Sequence, residues 1–215
     1  MDFIAELRER AKKNPKTIIL PEGHDSRVIA AAGQIQQEGL AKVILMGDAE
    51  TVRQKAQDQK VSLDGITILE HKKDKDFKEY VNLFYELRKH KGMTPEDAEK
   101  LITEKSLFYA ALMVRKGAAD SFVAGAVNTS GDVARAAIYC VGIDRKAGTL
   151  SSSFIMQLEN SPYGEKGLFI FADCGIVPDP SPSQLAGIAF SSAQLFEALF
   201  EKEARVALLS FSSKG

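Results

Sequence analysis

The chain has no tryptophan, only two cysteines and three histidines among 215 residues, and no excess of charge of either sign. Cys140 and Cys174 are too few for a metal cluster. They also lie too far apart in sequence for a disulfide framework, so a reducing compartment is expected. His24, His71 and His90 show no ligand spacing with acids or cysteines. The balance of 28 Lys+Arg against 29 Asp+Glu, a net charge of -1, argues against a disordered tail and a nucleic-acid-coating surface. It leaves room for an anionic ligand, because the local field at a site decides that. The longest apolar run, Leu107 to Val114, is far short of the roughly 20 residues that cross a bilayer. Met1 to Lys13 is charged throughout and lacks the apolar stretch of a leader. The expectation is a soluble cytoplasmic chain with neither nucleic-acid nor membrane partners.

Against these absences stands a hydrophobic content of 45%, enough for one large domain or two small ones. Phe3, Ile4, Leu7 and Ala11 mark one face of a first helix. Thr17 to Leu20 is a strand stopped by Pro21. Asp25 caps a helix that Gly39 closes. Lys42 to Met46 and Ile66 to Leu69 are further strands, separated by a polar helix to about Gln59. Phe77, Tyr80, Val81, Phe84 and Leu87 recur at helical spacing up to Gly92, and Thr94-Pro95 starts the next helix. Ser106 to Lys116 is helical, Ser121 to Ala124 is a strand, and a helix runs from Gly131 to Cys140. Leu150 to Leu158 and Gly167 to Ala172 read as strands, Ser183 to Phe200 as a helix and Arg205 to Ser210 as a last buried strand. The alternation defines an α/β fold with a mostly parallel sheet flanked by helices. A change of texture near residue 145 divides it into domains at 1–146 and 147–215, the second small and incomplete.

Ligands of open α/β sheets gather at the carboxyl ends of strands. The segment Gly125 to Arg135 runs from such an end into a helix. Asn128, Thr129 and Ser130 offer short polar donors, Gly131 permits close approach, and Arg135 sits one turn into the helix. The alternative is an ordinary cap by Thr129 or Ser130. Glu86 to Gly92 gathers four cationic residues, from which Arg88 turns inward to a phosphate or all stay solvated at a helix end. In Leu20 to Arg27, Glu22 and Asp25 are candidate acids, Asp25 alternatively a cap, and His24 an exposed loop residue. Ser152 and Ser153 either line a cleft or satisfy an edge strand, and Asp173 faces that cleft or caps a turn. Cys140 and Cys174 read as packing residues, with cysteine catalysis the alternative. No Gly-Lys-Ser/Thr phosphate loop and no Gly-x-Gly-x-x-Gly fingerprint is present.

Taken in order, several of these pieces resemble the phosphate acetyl/butyryltransferase family. They are Leu20-Pro21-Glu22 with Asp25 and Arg27; Phe84 to Thr94; Ala124 to Asp132 with Arg135; Ser152 to Met156; Leu168 to Cys174; and Val206 to Ser212 with Lys214-Gly215. The resemblance spans essentially the whole chain. It implies two α/β domains of the isocitrate/isopropylmalate dehydrogenase-like type with the active site between them. It also implies interconversion of acetyl-CoA plus phosphate with CoA plus acetyl phosphate. Arg88 and Arg135 match functional arginines, and Asn128, Thr129, Ser130 and Gly131 match the phosphate loop, with Ser152 and Ser153 also substrate-facing. No metal and no resident cofactor are implied, and members are commonly homodimers. The family's general base, an aspartate beside a Ser-Arg pair, falls beyond Gly215, as does the segment that completes the first domain. The chain is therefore expected to be a shortened family member, inactive or nearly so by itself. Phosphate butyryltransferase and a non-catalytic CoA- or phosphate-binding regulatory domain are the alternatives.

Overall fold

In the computed structural model, which describes residues 3–209, alternate side chains of two neighbouring strands bury themselves on opposite faces of one sheet. Those strands are β1 (Lys16–Leu20) and β2 (Ala41–Met46). Leu20, Val43 and Leu45 pack on one side with Ile29 and Ala32 of α2 (Ser26–Glu38) and Val52 and Ala56 of α3 (Ala49–Asp58). Ile19 and Met46 pack on the other with Phe84 of α4 (Phe77–Arg88), Ile102 of α5 (Pro95–Glu104) and Tyr109 of α6 (Ser106–Arg115). A strand buried on both faces belongs to a parallel sheet covered by helices. β3 (Thr67–Leu69) and β4 (Ser121–Phe122) complete it in the order β3-β2-β1-β4, every pair parallel. The run Leu107 to Met113 is buried all round, so α6 is a central helix and its lack of a polar face follows from its position.

Local chemistry sets the helix ends. Asp25 accepts from the Arg27 amide at the start of α2, and Gly39 closes that helix in the left-handed conformation. Asp48 caps α3 and Thr94 caps α5, with Pro95 in the first turn. α1 (Phe3–Lys13) buries Phe3 but leaves Ile4 exposed. α4 runs into a 3-10 turn, Lys89–Lys91, before Gly92 ends it with positive φ.

Contacts divide the chain into Met1–Gly142 and Ile143–Gly215. The second unit pairs β5 (Ser153–Gln157) with β6 (Leu168–Ala172) and adds α8 (Pro182–Phe200). β5 and β6 pair antiparallel. Two expectations change here. β5 starts later than Leu150, because the Ser152 amide donates to the Asp173 carboxylate instead of to a ladder. Finally, Arg205 to Leu209 is not a strand: no neighbour among the described residues offers it a ladder, and Leu208 and Leu209 are 64% and 94% exposed. Ser210 lies outside the described residues.

Candidate active site

In the first unit β1 is followed on one side by β2 and β3, while β4 lies on its other side. The loops leaving β1 and β4 therefore lie side by side at the carboxyl ends of these strands, where ligands of open α/β sheets gather. The β1 loop is pinned by glycine: the Gly23 amide donates to the Met46 carbonyl at 2.9 Å, and a Cβ at Gly23 would lie 2.6 Å from that oxygen. Ser106 Oγ, at the start of α6, donates to the Pro21 carbonyl on the same loop.

Glu22 projects from this loop, is 1% exposed, and is received by the loop after β4. Its Oε2 accepts the amides of Gly125 and Ala126, both at 2.9 Å. Its Oε1 accepts the amides of Val127 at 2.9 Å and Asn128 at 2.7 Å, and Asn128 Nδ2 at 2.8 Å. Burial alone would raise this carboxyl. The amide donors more than offset it and hold the pKa at about 2. β4 is shorter than expected. Val123 still donates to Ile19, but from Gly125, at φ 116°, the amides turn away from the ladder toward Glu22. Arg27 steadies the arrangement: Nη2 donates to the Ala126 carbonyl and, with Nε, to Asp25. The Arg27 guanidinium holds the Asp25 carboxyl well below the usual carboxylate range.

The residues expected to grip phosphate divide into two groups. Asn128 and Thr129 are engaged internally, Asn128 with Glu22 and Thr129 as the cap of α7 (Ser130–Ala136), accepting from the Asp132 amide. Ser130 and Gly131, the first two residues of α7, are exposed. Their amides make no hydrogen bond among the described residues. Arg135 is exposed on the same helix and reaches Asp132 Oδ1 at 3.2 Å.

α7 widens into a π-helical turn, Ala137–Val141, whose last two carbonyls accept from Arg115 Nη1. This turn carries Tyr139, four residues beyond Arg135. The Arg88 guanidinium lies over the Tyr139 ring, Cζ 3.9 Å from its centroid. Arg88 Nε is buried with no hydrogen-bond partner. The two arginines are thus brought to one helical run, Arg135 as a member and Arg88 docked on it. The other cationic residues of its segment behave differently: Lys89 pairs with Glu86, and His90 and Lys91 are exposed.

Sequence reasoning missed Tyr139 and gave Glu22 no partner. Aromatic spacing offered no hint of the first, and the partners of Glu22 are 103 to 106 residues away. His24 is exposed, as expected. Cys140 is buried among the α6 side chains, and burial pushes its thiol up to about 12, which suits packing rather than nucleophilic attack.

In the second unit Ser152 donates from both its amide and its Oγ to Asp173 and accepts the Cys174 amide. Asp173 also accepts the Gly175 and Ile176 amides. Burial opposes ionisation of Asp173, but these donors outweigh it and lower its pKa. Asp173 therefore caps the turn after β6. Ser153 is the first residue of β5, opposite Ala172. Among the described residues no group of three or more His, Cys, Asp or Glu is placed to hold a metal ion, and no helix is long and apolar enough to cross a membrane.

A parallel sheet flanked by helices, with its candidate ligand groups at the strand-order reversal, defines an open α/β protein. Comparison with known proteins narrows this. The family model described as phosphate acetyl/butaryl transferase matches residues 2–215, and the chain belongs to that family. It is 42% identical to the phosphate acetyltransferase of Acetivibrio thermocellus, over all of this chain and 64% of that protein. It is 40% identical to that of Thermoanaerobacterium thermosaccharolyticum, over all of this chain and 65% of that protein. Among solved structures it resembles a phosphotransacetylase from Streptococcus pyogenes, with TM-score 0.89, 32% identity and coverage of 99% of this chain and 63% of that one. The EutD phosphotransacetylase from Staphylococcus aureus gives TM-score 0.85 and 31% identity, covering 100% and 62%. The chain thus spans a little under two thirds of the length of these relatives.

Proposed function

We propose that the chain is the phosphate-side part of a phosphate acetyltransferase, which interconverts acetyl-CoA plus phosphate with CoA plus acetyl phosphate. In the direction of thioester synthesis the CoA thiol loses its proton and its sulfur attacks the acetyl carbonyl of acetyl phosphate. The carbonyl–oxygen bond to phosphate then breaks, and phosphate leaves. Binding both substrates together supplies the orientation, so no acyl-enzyme is needed. Arg88 and Arg135 hold the phosphate oxygens and stabilise the charge that grows on them in the transition state. The Ser130 and Gly131 amides assist. The names of the relatives favour acetyl over butyryl transfer.

The observation that carries this reading is Arg88. Its guanidinium stacks on an aromatic ring, and among the described residues no carboxylate pairs with it. Its charge therefore remains uncompensated and can be offered to an oxyanion.

Among the described residues the carboxylates near the candidate groups are committed elsewhere, Glu22 to main-chain amides and Asp132 to Thr129 and Arg135, so neither is proposed as the general base. The working form is proposed to be a cytoplasmic homodimer without metal or resident cofactor. The test measures inorganic phosphate binding by calorimetry and thioester formation from CoA and acetyl phosphate. The chain should bind phosphate, and Arg88→Gln and Arg135→Gln should each weaken it. Turnover should fall at least about 10²-fold below that of the Acetivibrio thermocellus relative, the usual minimum for a missing base. Unchanged phosphate binding in both variants would overturn the assignment of the arginines. Normal turnover by the chain alone would overturn the reading that these carboxylates leave it without a base.

A further inference from the structure

We infer that Glu22 is the positioning residue of this site: its carboxylate is a resident anion that fills the main-chain cradle of Gly125 to Asn128 and thereby sets the loop that delivers Thr129, Ser130 and Gly131.

Four consecutive amides converge on one carboxylate, two on each oxygen, and the Asn128 side chain adds a fifth donor. Successive N–H groups of this kind form a concavity that binds anions. Here the occupant belongs to the protein. Among the described residues Glu22 forms no ion pair, so its charge is balanced by peptide dipoles and by the more distant Arg27. Its donors come from the loop after β4, so the carboxylate joins the β1 and β4 loops across the strand-order reversal. The loop then passes directly into the Thr129 cap, whose Oγ1 and carbonyl both accept the Asp132 amide. Without Glu22 four neighbouring donors would face one another around an empty space, and no single loop conformation would satisfy them. An added phosphate is therefore excluded from the Gly125–Asn128 amides. It meets instead the next part of the chain, where the Ser130 and Gly131 amides are open. That last step rests on the phosphate reading proposed above; the resident-anion role does not.

The experiment uses the whole chain, labelled for amide NMR, as wild type, Glu22→Ala and Glu22→Gln. In the wild type the Gly125 to Asn128 amides should resonate far downfield, exchange slowly, and ignore added formate because their site is filled. In Glu22→Ala those signals should move upfield, and formate should return them toward the wild-type positions. Inorganic phosphate, read at the Ser130 and Gly131 amides, should bind about tenfold more weakly to Glu22→Ala, with formate restoring most of the affinity. Glu22→Gln keeps the volume but turns a donor toward donors, so it should lose the downfield signature without formate rescue. If Glu22→Ala folds only in formate, that supports the role. If it folds in neither condition, the Glu22→Gln signature decides. Wild-type loop shifts in a folded Glu22→Ala or Glu22→Gln chain would overturn the inference. A wild type that ignores phosphate while formate still rescues the loop would overturn the phosphate reading alone.

Discussion

The Arg88–Tyr139 stack can be measured as a coupling free energy. Single substitutions cannot isolate it, because Tyr139 also meets Phe108 edge-on with centroids 6.3 Å apart. A double-mutant cycle of Arg88→Met and Tyr139→Leu removes the cation, the ring, and both, and cancels contacts not shared by the pair. With Cζ 3.9 Å from the centroid and Arg88 half-buried, the interaction lies between the exposed and desolvated limits, about 1 kcal/mol. That is roughly a fivefold change in an equilibrium constant. Native-state hydrogen exchange at the buried α6 amides is the appropriate assay, since it reports opening of the first unit without averaging over the second. Tyr139→Phe keeps the ring and should shift the same exchange by less than about 0.5 kcal/mol. A coupling below about 0.3 kcal/mol would refute the reasoning. The guanidinium would then be held by backbone placement at the end of α4, and the ring would be a bystander.

Glu22 should also make the stability of the first unit pH-dependent. Its folded pKa, about 2, lies below the ordinary 4.5, so its stabilisation is complete above about pH 4.5 and is lost as pH falls toward 2. The shift corresponds to about 3 kcal/mol. Wild type should lose that much more than Glu22→Gln across this window in exchange or urea measurements, and parallel curves would exclude it. Cysteine reactivity separates the two thiols. Cys174, partly exposed, should react with a disulfide reagent in the native chain, whereas Cys140, buried and raised to about 12, should react only on unfolding. Two rapid equivalents from the folded chain would contradict the packing described for Cys140.

What the sequence made legible was local or periodic. Asp25, Gly39, Asp48 and Thr94 announce helix ends through interactions that close within a few residues, and the structure places each as a cap. The strand at 42–46 is legible because every residue on each face is apolar apart from Lys42. What was not legible depends on partners distant in sequence. Nothing local distinguishes Glu22, which holds the β4 loop, from Asp25, which caps its own helix, since both are acids at a strand end. Pairing with β1 persists at Val123, whose amide still reaches the Ile19 carbonyl, and it stops short of Gly125, from which the amides turn to Glu22. Arg205 to Leu209 shows the converse. Its composition is that of a buried strand, yet a ladder needs a neighbour, and none is present among the described residues. Among the candidate site residues, pattern alone placed Arg88 and Arg135 on helices, but only the fold brings both to the run that carries Tyr139.

At the strand-order reversal the Gly125–Asn128 amides are already taken by Glu22, so under the proposed function the arginines and the Ser130 and Gly131 amides are left to meet an anion. In an open parallel sheet such a reversal is the place where main-chain donors are most readily aimed at an anion. Here the protein has already supplied one. Satisfying the Gly125–Asn128 amides with Glu22 holds the loop in one conformation without any bound ligand. The opposite condition holds at Arg88, where a buried, unpartnered Nε costs about 1–3 kcal/mol in the unliganded chain. Under the proposed function a bound oxyanion would offset that cost, and ligand affinity would be linked to the stability of the contact between α4 and the π-helical turn that carries Tyr139. One donor set is satisfied in advance and another is left unsatisfied, which under the proposed function would favour an anion at Arg88 over the Gly125–Asn128 amides.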